Sequence, residues 1–331
     1  MVDARAHGVM RRARTGMVAE ESASGERARA GPSLHTAPMI AIIGGLGAAL
    51  CWAVAMLTVA RASRELGSWS TLAGVMVVGL VVAVPAIAIG SPPVAIKGAD
   101  VMLMTVIGIA NIAGLLFVYT ALRGGNVSIV APITSTEGAI AAVISVVLGE
   151  QLVPGAGLVL GAIVIGVFLA SLESTDTEGA APPDPGPAAF VHVSAVRTAA
   201  LSLSAALAFG LNIYLVGLLG ASLPAIWAAL PARVVGTVAV ALPLLVFGKL
   251  RITRSALPFV VAAGIGDVAG TVSLAVGAQD GIAVASVMSS QFAAIAAIAA
   301  VILFRERLNR KQIVGIALIA FGVAALSLVS G

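Results

Sequence analysis

Between Ser68 and Gly90 the chain reads SWSTLAGVMVVGLVVAVPAIAIG, without one charged side chain. An apolar helix of about 20 residues spans a hydrocarbon core roughly 30 Å thick. Comparable stretches recur along the 331 residues, and the sequence predicts spans at about 39–60, 68–90, 101–122, 126–148, 154–171, 197–219, 223–247, 255–278, 281–304 and 312–330. A water-exposed surface needs more charge than this chain has. Only 10% of its residues are charged, against about 25% in soluble domains, while 60% are hydrophobic and the mean hydropathy is +1.09. In hydrocarbon every backbone N–H and C=O needs a partner inside the protein, which leaves helices and closed barrels. Barrel strands are short and alternate apolar with polar residues, unlike these runs. The expected fold is therefore an all-α integral membrane protein with ten transmembrane helices.

Several classes of function are excluded on the same residues. The net charge of +4 is spread between apolar runs and forms no aromatic-interleaved basic patch, so no nucleic-acid partner is expected. Cys51 is the sole cysteine, and His7, His35 and His192 fall outside the expected spans, so neither a disulfide framework nor a metal site is expected. The glycines of GGLG at 44–47 sit inside an apolar run and build no strand-to-helix phosphate loop. No catalytic constellation appears and no cofactor is implied.

Two polar segments divide the chain. Residues 1–38 form an Arg-rich tail without the apolar core of a signal peptide, and are expected to be disordered. Residues 172–196 form an acidic, proline-rich linker. Five expected spans stand on each side of it, in 39–171 and 197–331, and the two sets resemble each other. GIANIAG (108–114) matches GIGDVAG (264–270) at an offset of 156, and GAALCWAV (47–54) matches SAALAFGL (204–211) at 157. The second offset also places VVG (77–79) on VVG (234–236). A repeated unit with an odd number of crossings enters the membrane upside down the second time. Inverted repeats that rock about a central site are a recurrent transporter design.

Each fourth helix ends in Glu-x-Leu, LGEQL at 148–152 and FRERL at 304–308. With Cys51-Trp52 in the first helix and Arg233 in the seventh, this layout over 39–330 resembles the EamA-type branch of the drug/metabolite transporter superfamily. Repeat one departs from the pattern with Met76 where repeat two has Arg233, and with Glu137-Gly138 where a proline is usual. The resemblance implies a secondary transporter, often an exporter of metabolites or amino acids, with both termini in the cytoplasm. The six arginines of the tail agree with that orientation by the positive-inside rule, while the basic residues of the loops oppose it.

Three charged residues fall inside expected spans: Glu137, Arg233 and Asp267. Each costs roughly 2.5–3.5 kcal/mol on insertion scales, and such residues face a bundle interior or a wet cavity and pair there. Arg233 keeps its proton and needs a carboxylate, either as a structural ion pair or as a substrate's counter-charge. The carboxylate left over, Glu137 or Asp267, is a candidate for proton coupling or cation binding, or else a protonated interhelical donor. Asn111, the repeat equivalent of Asp267, and the glycines around both fit close helix packing or a shared cavity lining. Trp52, Tyr119, Asn212, Tyr214 and Gln291 are further candidates to line a substrate site. Glu150 and Glu306 read as structural groups at helix ends.

The leading expectation is a multi-pass protein of the plasma or inner membrane, a monomer or homodimer, that moves a small organic solute (metabolite, amino acid or drug) by alternating access. Protons are the expected coupling ion and export the expected direction. The alternatives are a substrate exchanger or facilitator without proton coupling and, from another class, a membrane-embedded enzyme or a non-transporting scaffold.

Overall fold

A computed structural model describes residues 37–90, 94–124, 130, 133–152, 154–170, 195–292, 294–295 and 310–330. The tail before Ala37, most of the 172–196 linker, FRERL with Glu306, the three histidines and the side chain of Tyr119 lie outside the described residues. Pro38–Gly331 makes one unit by its contacts.

Among the described residues all regular structure is helical. The helices are α1 (Ala37–Leu66), α2 (Ser68–Gly90), α3 (Gly98–Gly124), α4 (Glu137–Val147), α5 (Ala156–Ala170), α6 (Ala195–Ser222), α7 (Ala225–Val246), α8 (Leu257–Ala278), α9 (Ile282–Ser289) and α10 (Arg310–Ser330). Six of them, α1, α2, α3, α6, α7 and α8, contain stretches long and apolar enough to cross a membrane, while α4 and α5 are shorter apolar helices. Large apolar side chains point outward all along the bundle. Ile89 is 88% exposed and Leu158 84%, and Val81, Met102, Phe247 and Phe321 are also exposed. Exposed apolar surface on this scale belongs against lipid.

Tight corners are set by backbone chemistry. Gly67, at φ 78°, joins α1 to α2 and donates its N–H to Ser63 O at 2.9 Å, while its own carbonyl accepts from Thr71 N at 3.1 Å. Gly248, at φ 64°, closes α7 with 3.1 Å and 2.8 Å bonds from Gly248 N and Lys249 N to Leu245 O and Leu244 O. Both use the left-handed region that spares glycine a Cβ clash.

Three helices are irregular along their length, where continuous spans were expected. The 126–148 run is broken at Ser135-Thr136, so that α4 begins at Glu137. The 281–304 run is interrupted at Ser290-Gln291, and its described part ends at Ile295. At both breaks a backbone N–H reaches back only three residues, Thr136 to Ile133 O at 3.2 Å and Gln291 to Met288 O at 3.3 Å. Nearby hydroxyls bond their own helix: Thr134 to Val130 O at 2.7 Å, Thr136 to Ile133 O at 2.7 Å and Ser290 to Val287 O at 2.9 Å. These hydroxyls are thus satisfied on their own helix backbone. In α7 a 3₁₀ turn (Ala225–Ala229) leads into a regular stretch (Leu230–Gly236) and then a π segment (Thr237–Ala241) just after Arg233. Short π segments frequently mark functional positions.

Helices on one side of the linker pack mainly on helices from the other. α3 packs on α6 and α7, α2 on α7 and α8, α4 on α6 and α9, and α5 on α10. Alanines and glycines let these axes approach. The largest fully buried side chains include Ile107, Ile163, Leu219, Leu274 and Met288.

Two polar clamps tie the helix ends together. On one side Ala283 N, at the start of α9, donates to both carboxylate oxygens of Glu150 at 3.1 Å, and the Ser145 hydroxyl donates to the same group. Burial pushes the half-buried Glu150 carboxyl above its ordinary pKa, against the pull of those backbone donors. On the other side Glu65, at the end of α1, accepts from the hydroxyls of Thr253 and Ser255, and Arg251 N donates to Ser70 Oγ at 3.2 Å. The two hydroxyl donors hold the exposed Glu65 carboxyl below its ordinary pKa. A depressed carboxylate stabilises the folded state above its unfolded pKa, and that contribution is lost as pH falls through the folded value. The melting temperature of the wild type in detergent should therefore exceed that of Glu65→Ala at about pH 7, and the gap should shrink toward about pH 4 as the carboxyl protonates. A gap that is constant with pH would count against the clamp.

Candidate functional site

The irregular parts of α4 and α7 meet at one cavity of about 710 Å³ between the two halves. Its lining takes in Trp52 and Met56 from α1, Asn111 from α3, Thr134 and Glu137 around the α4 break, Phe209 and Asn212 from α6, Arg233 from α7 and Asp267 and Thr271 from α8. It extends to the α1–α2 corner, where Ser63 and the exposed Ser68 line it.

Arg233 is 2% exposed, and its Nη2 lies 2.6 Å from Asp267 Oδ2. The same nitrogen donates to Thr271 Oγ1 at 3.1 Å, and Thr271 Oγ1 donates to Asp267 O at 2.8 Å, one turn back on α8. Local sequence explains the triad. Asp267 and Thr271 are four residues apart and share a helix face, and Gly79 on α2 leaves the room that Arg233 occupies, since a Cβ there would come within 2.9 Å of Arg233 Cγ. Arg233 Nε remains without a hydrogen-bond partner among the described residues.

Glu137 is 6% exposed and borders the cavity at the first turn of the shortened α4. The free N–H groups of a helix start and their partial positive charge favour a carboxylate there. No basic side chain pairs with Glu137 among the described residues. Three other buried polar atoms on the lining residues also lack a hydrogen-bond partner among the described residues: Trp52 Nε1, Asn111 Oδ1 and Asn212 Oδ1. The Trp52 ring meets Phe292 edge-on, with centroids 6.5 Å apart at 89°.

The structure thus brings Glu137, Arg233, Asp267, Asn111, Trp52 and Asn212 to one cavity. It places Tyr214 and Gln291 elsewhere. Tyr214 is 8% exposed within the apolar core, and the buried Gln291 points its Nε2 at Met288 Sδ, 3.3 Å away. Neither appears in the lining. Sequence reading overlooked Thr271, Phe209 and Phe292. A signal existed for the first two: Thr271 is one turn beyond Asp267, and Phe209 stands opposite Trp52 in the match of 47–54 with 204–211.

The contacts across the halves are reciprocal. Arg233 of α7 fits over Gly79 of α2, and Met76 of α2 fits over Gly236 of α7, where a Cβ would come within 2.6 Å of Met76 Cγ. Trp52 of α1 fits over Gly270 of α8, and Phe209 of α6 over Gly114 of α3, with built Cβ contacts of 2.5 Å and 2.6 Å. Met76 and Arg233, Gly79 and Gly236, and Trp52 and Phe209 are all 157 residues apart, and Gly114 and Gly270 are 156 apart.

Six helices long and apolar enough to cross a membrane, with apolar side chains exposed on their outer faces, make this a multi-pass membrane protein. The sequence model of the EamA-like transporter family matches residues 39–172. No curated protein matches the sequence. A solved structure described only as "Crystal structure of protein" superposes with a TM-score of 0.69 at 18% identity, over 88% of this chain and 97% of its own. At that identity the likeness establishes a shared fold.

Removing one member of a buried ion pair costs about 3–5 kcal/mol, whereas replacing both with apolar groups is often neutral. Arg233→Met should therefore lower stability, by less than that full cost because Asp267 is 29% exposed. Arg233→Met combined with Asp267→Leu should recover most of the loss in an unfolding titration. Equal losses in the single and double variants would show that the pair does not govern this site.

Proposed function

We propose that the protein is a secondary transporter that carries a small organic solute through this cavity by alternating access, and that Glu137 couples the movement to protons. The observation that carries the reading is a buried carboxylate beside the cavity, at the start of a broken helix, with no basic partner among the described residues. A group so placed can take up a proton or a ligand on one side of the membrane and release it on the other. Discontinuous helices whose ends point at a midplane site are recurrent in transporters built from inverted repeats.

The two halves are read as inverted five-helix repeats, which gives ten crossings. The reciprocal contacts over Gly79 and Gly236, and over Gly270 and Gly114, support this, because a pseudo-two-fold axis in the membrane plane turns each contact into its partner. The interrupted α4 and α9 match in the same way. With both termini in the cytoplasm, as the family resemblance implies, α1 ends at Leu66 on the outer side. The mouth at Ser63 and Ser68 then faces outward, where an exporter releases its solute. The Glu150 clamp lies at the opposite, cytoplasmic end.

The test is flux in proteoliposomes with an imposed pH gradient and an internal pH dye. Solute-dependent proton movement is expected in the wild type and absent in Glu137→Gln. Equal solute flux in both, without proton movement, would remove the coupling role and leave exchange or facilitation.

A further inference from the structure

The charges and unpartnered atoms of the cavity carry a statement about the solute, which rests on the transport reading only for the movement that comes after binding. Arg233 and Asp267 lie 2.6 Å apart and cancel. Besides these and Glu137, no charged side chain is among the described lining residues, so within that described lining Glu137 carries one negative charge in excess when ionised. Two unpartnered acceptors, Asn111 Oδ1 and Asn212 Oδ1, call for N–H donors on the solute. Two unpartnered donors, Trp52 Nε1–H and Arg233 Nε–H, call for an acceptor. Arg233 is 2% exposed and Asp267 already holds its charge, so an uncharged oxygen suffices there. The remaining wall includes Trp52, Phe209 and Phe292, whose ring faces attract cations and cover apolar bodies.

We infer that the cavity selects a solute of net positive charge: a protonated amine on an apolar body that also carries a neutral oxygen acceptor, such as an amino amide, in preference to a zwitterionic amino acid or an anion. The ammonium meets Glu137 and the two asparagine carbonyls. The neutral oxygen meets the indole and guanidinium N–H groups. A zwitterion leaves the excess negative charge uncompensated and sets a second carboxylate close to Asp267 and Glu137. An anion is worse on both counts, since burying unpaired charge is strongly unfavourable.

Three probes share one body and differ in charge: phenylalaninamide (positive at mildly acidic pH), phenylalanine (zwitterionic) and N-acetylphenylalanine (negative). Their affinities for the wild-type protein in nanodiscs are measured by equilibrium dialysis. Phenylalaninamide should bind most tightly and N-acetylphenylalanine most weakly. Truncating one partner of a buried charge pair predicts a loss of about 30-fold or more for phenylalaninamide in Glu137→Gln, with Glu137→Asp retaining the preference for it. The ranking in the wild type needs no variant, so a poorly folded Glu137→Gln leaves the test intact. Tighter binding of phenylalanine or N-acetylphenylalanine, no binding of phenylalaninamide, or an unchanged affinity in a folded Glu137→Gln would each overturn the inference. Flux of the same three compounds into proteoliposomes separates the two readings. Phenylalaninamide bound but never moved sinks transport and keeps the charge rule, while phenylalanine moved in preference to phenylalaninamide keeps transport and sinks the charge rule.

Discussion

Arg233 carries a guanidinium with five N–H donors and no acceptor, and it is 2% exposed at the edge of the cavity. Much of the centre of the protein is set by that. The guanidinium needs a carboxylate, so α8 supplies Asp267. It needs a second acceptor, so Thr271 stands one turn away. It needs space, so α2 presents a glycine. The carboxylate of Asp267 is then committed, and Glu137 is left to face the cavity from the start of α4. One guanidinium thus fixes which of the two cavity acids is tied down and which is available.

The broken helices obey a related constraint. A chain in hydrocarbon tolerates irregular backbone only where protein or a wet cavity covers it. The turns at Ser135-Thr136 and Ser290-Gln291 lie inside the bundle, and the hydroxyls of Thr136 and Ser290 are satisfied on carbonyls of their own helices. Shortening α4 also puts Glu137 in the first turn, at the end of the helix whose partial positive charge favours a carboxylate. Had the helix run straight through, as its hydropathy implies, Glu137 would lie mid-helix without that compensation.

The sequence and the structure agree where the physics is local or statistical. Apolar runs located the six described helices long enough to span a membrane, because length and hydropathy suffice for that. Glu137, Arg233 and Asp267 could be picked out because charge in such runs is expensive wherever it sits. Their partnership was not legible: Asp267 rather than Glu137 holds Arg233, a choice made by which helix faces turn toward each other. Tyr214 and Gln291 looked like site residues by type, but type does not tell inward-to-cavity from inward-to-core. The breaks in α4 and α9 also escaped notice, since Ser and Thr are tolerated in intact helices as readily as in broken ones.

The interleaving of the halves bears on how such a chain comes into being. α2, α3, α4 and α5 each find their main partners among α6 to α10, beyond the linker. A ribosome delivers the first half before any of those partners exists. Until the second half arrives, the first must sit in the bilayer with Glu137 and its small-residue inner faces turned toward lipid, translocon or chaperone. The acidic, proline-rich stretch at 172–196 lengthens that exposed interval, because its residues are synthesised before the first of those partners.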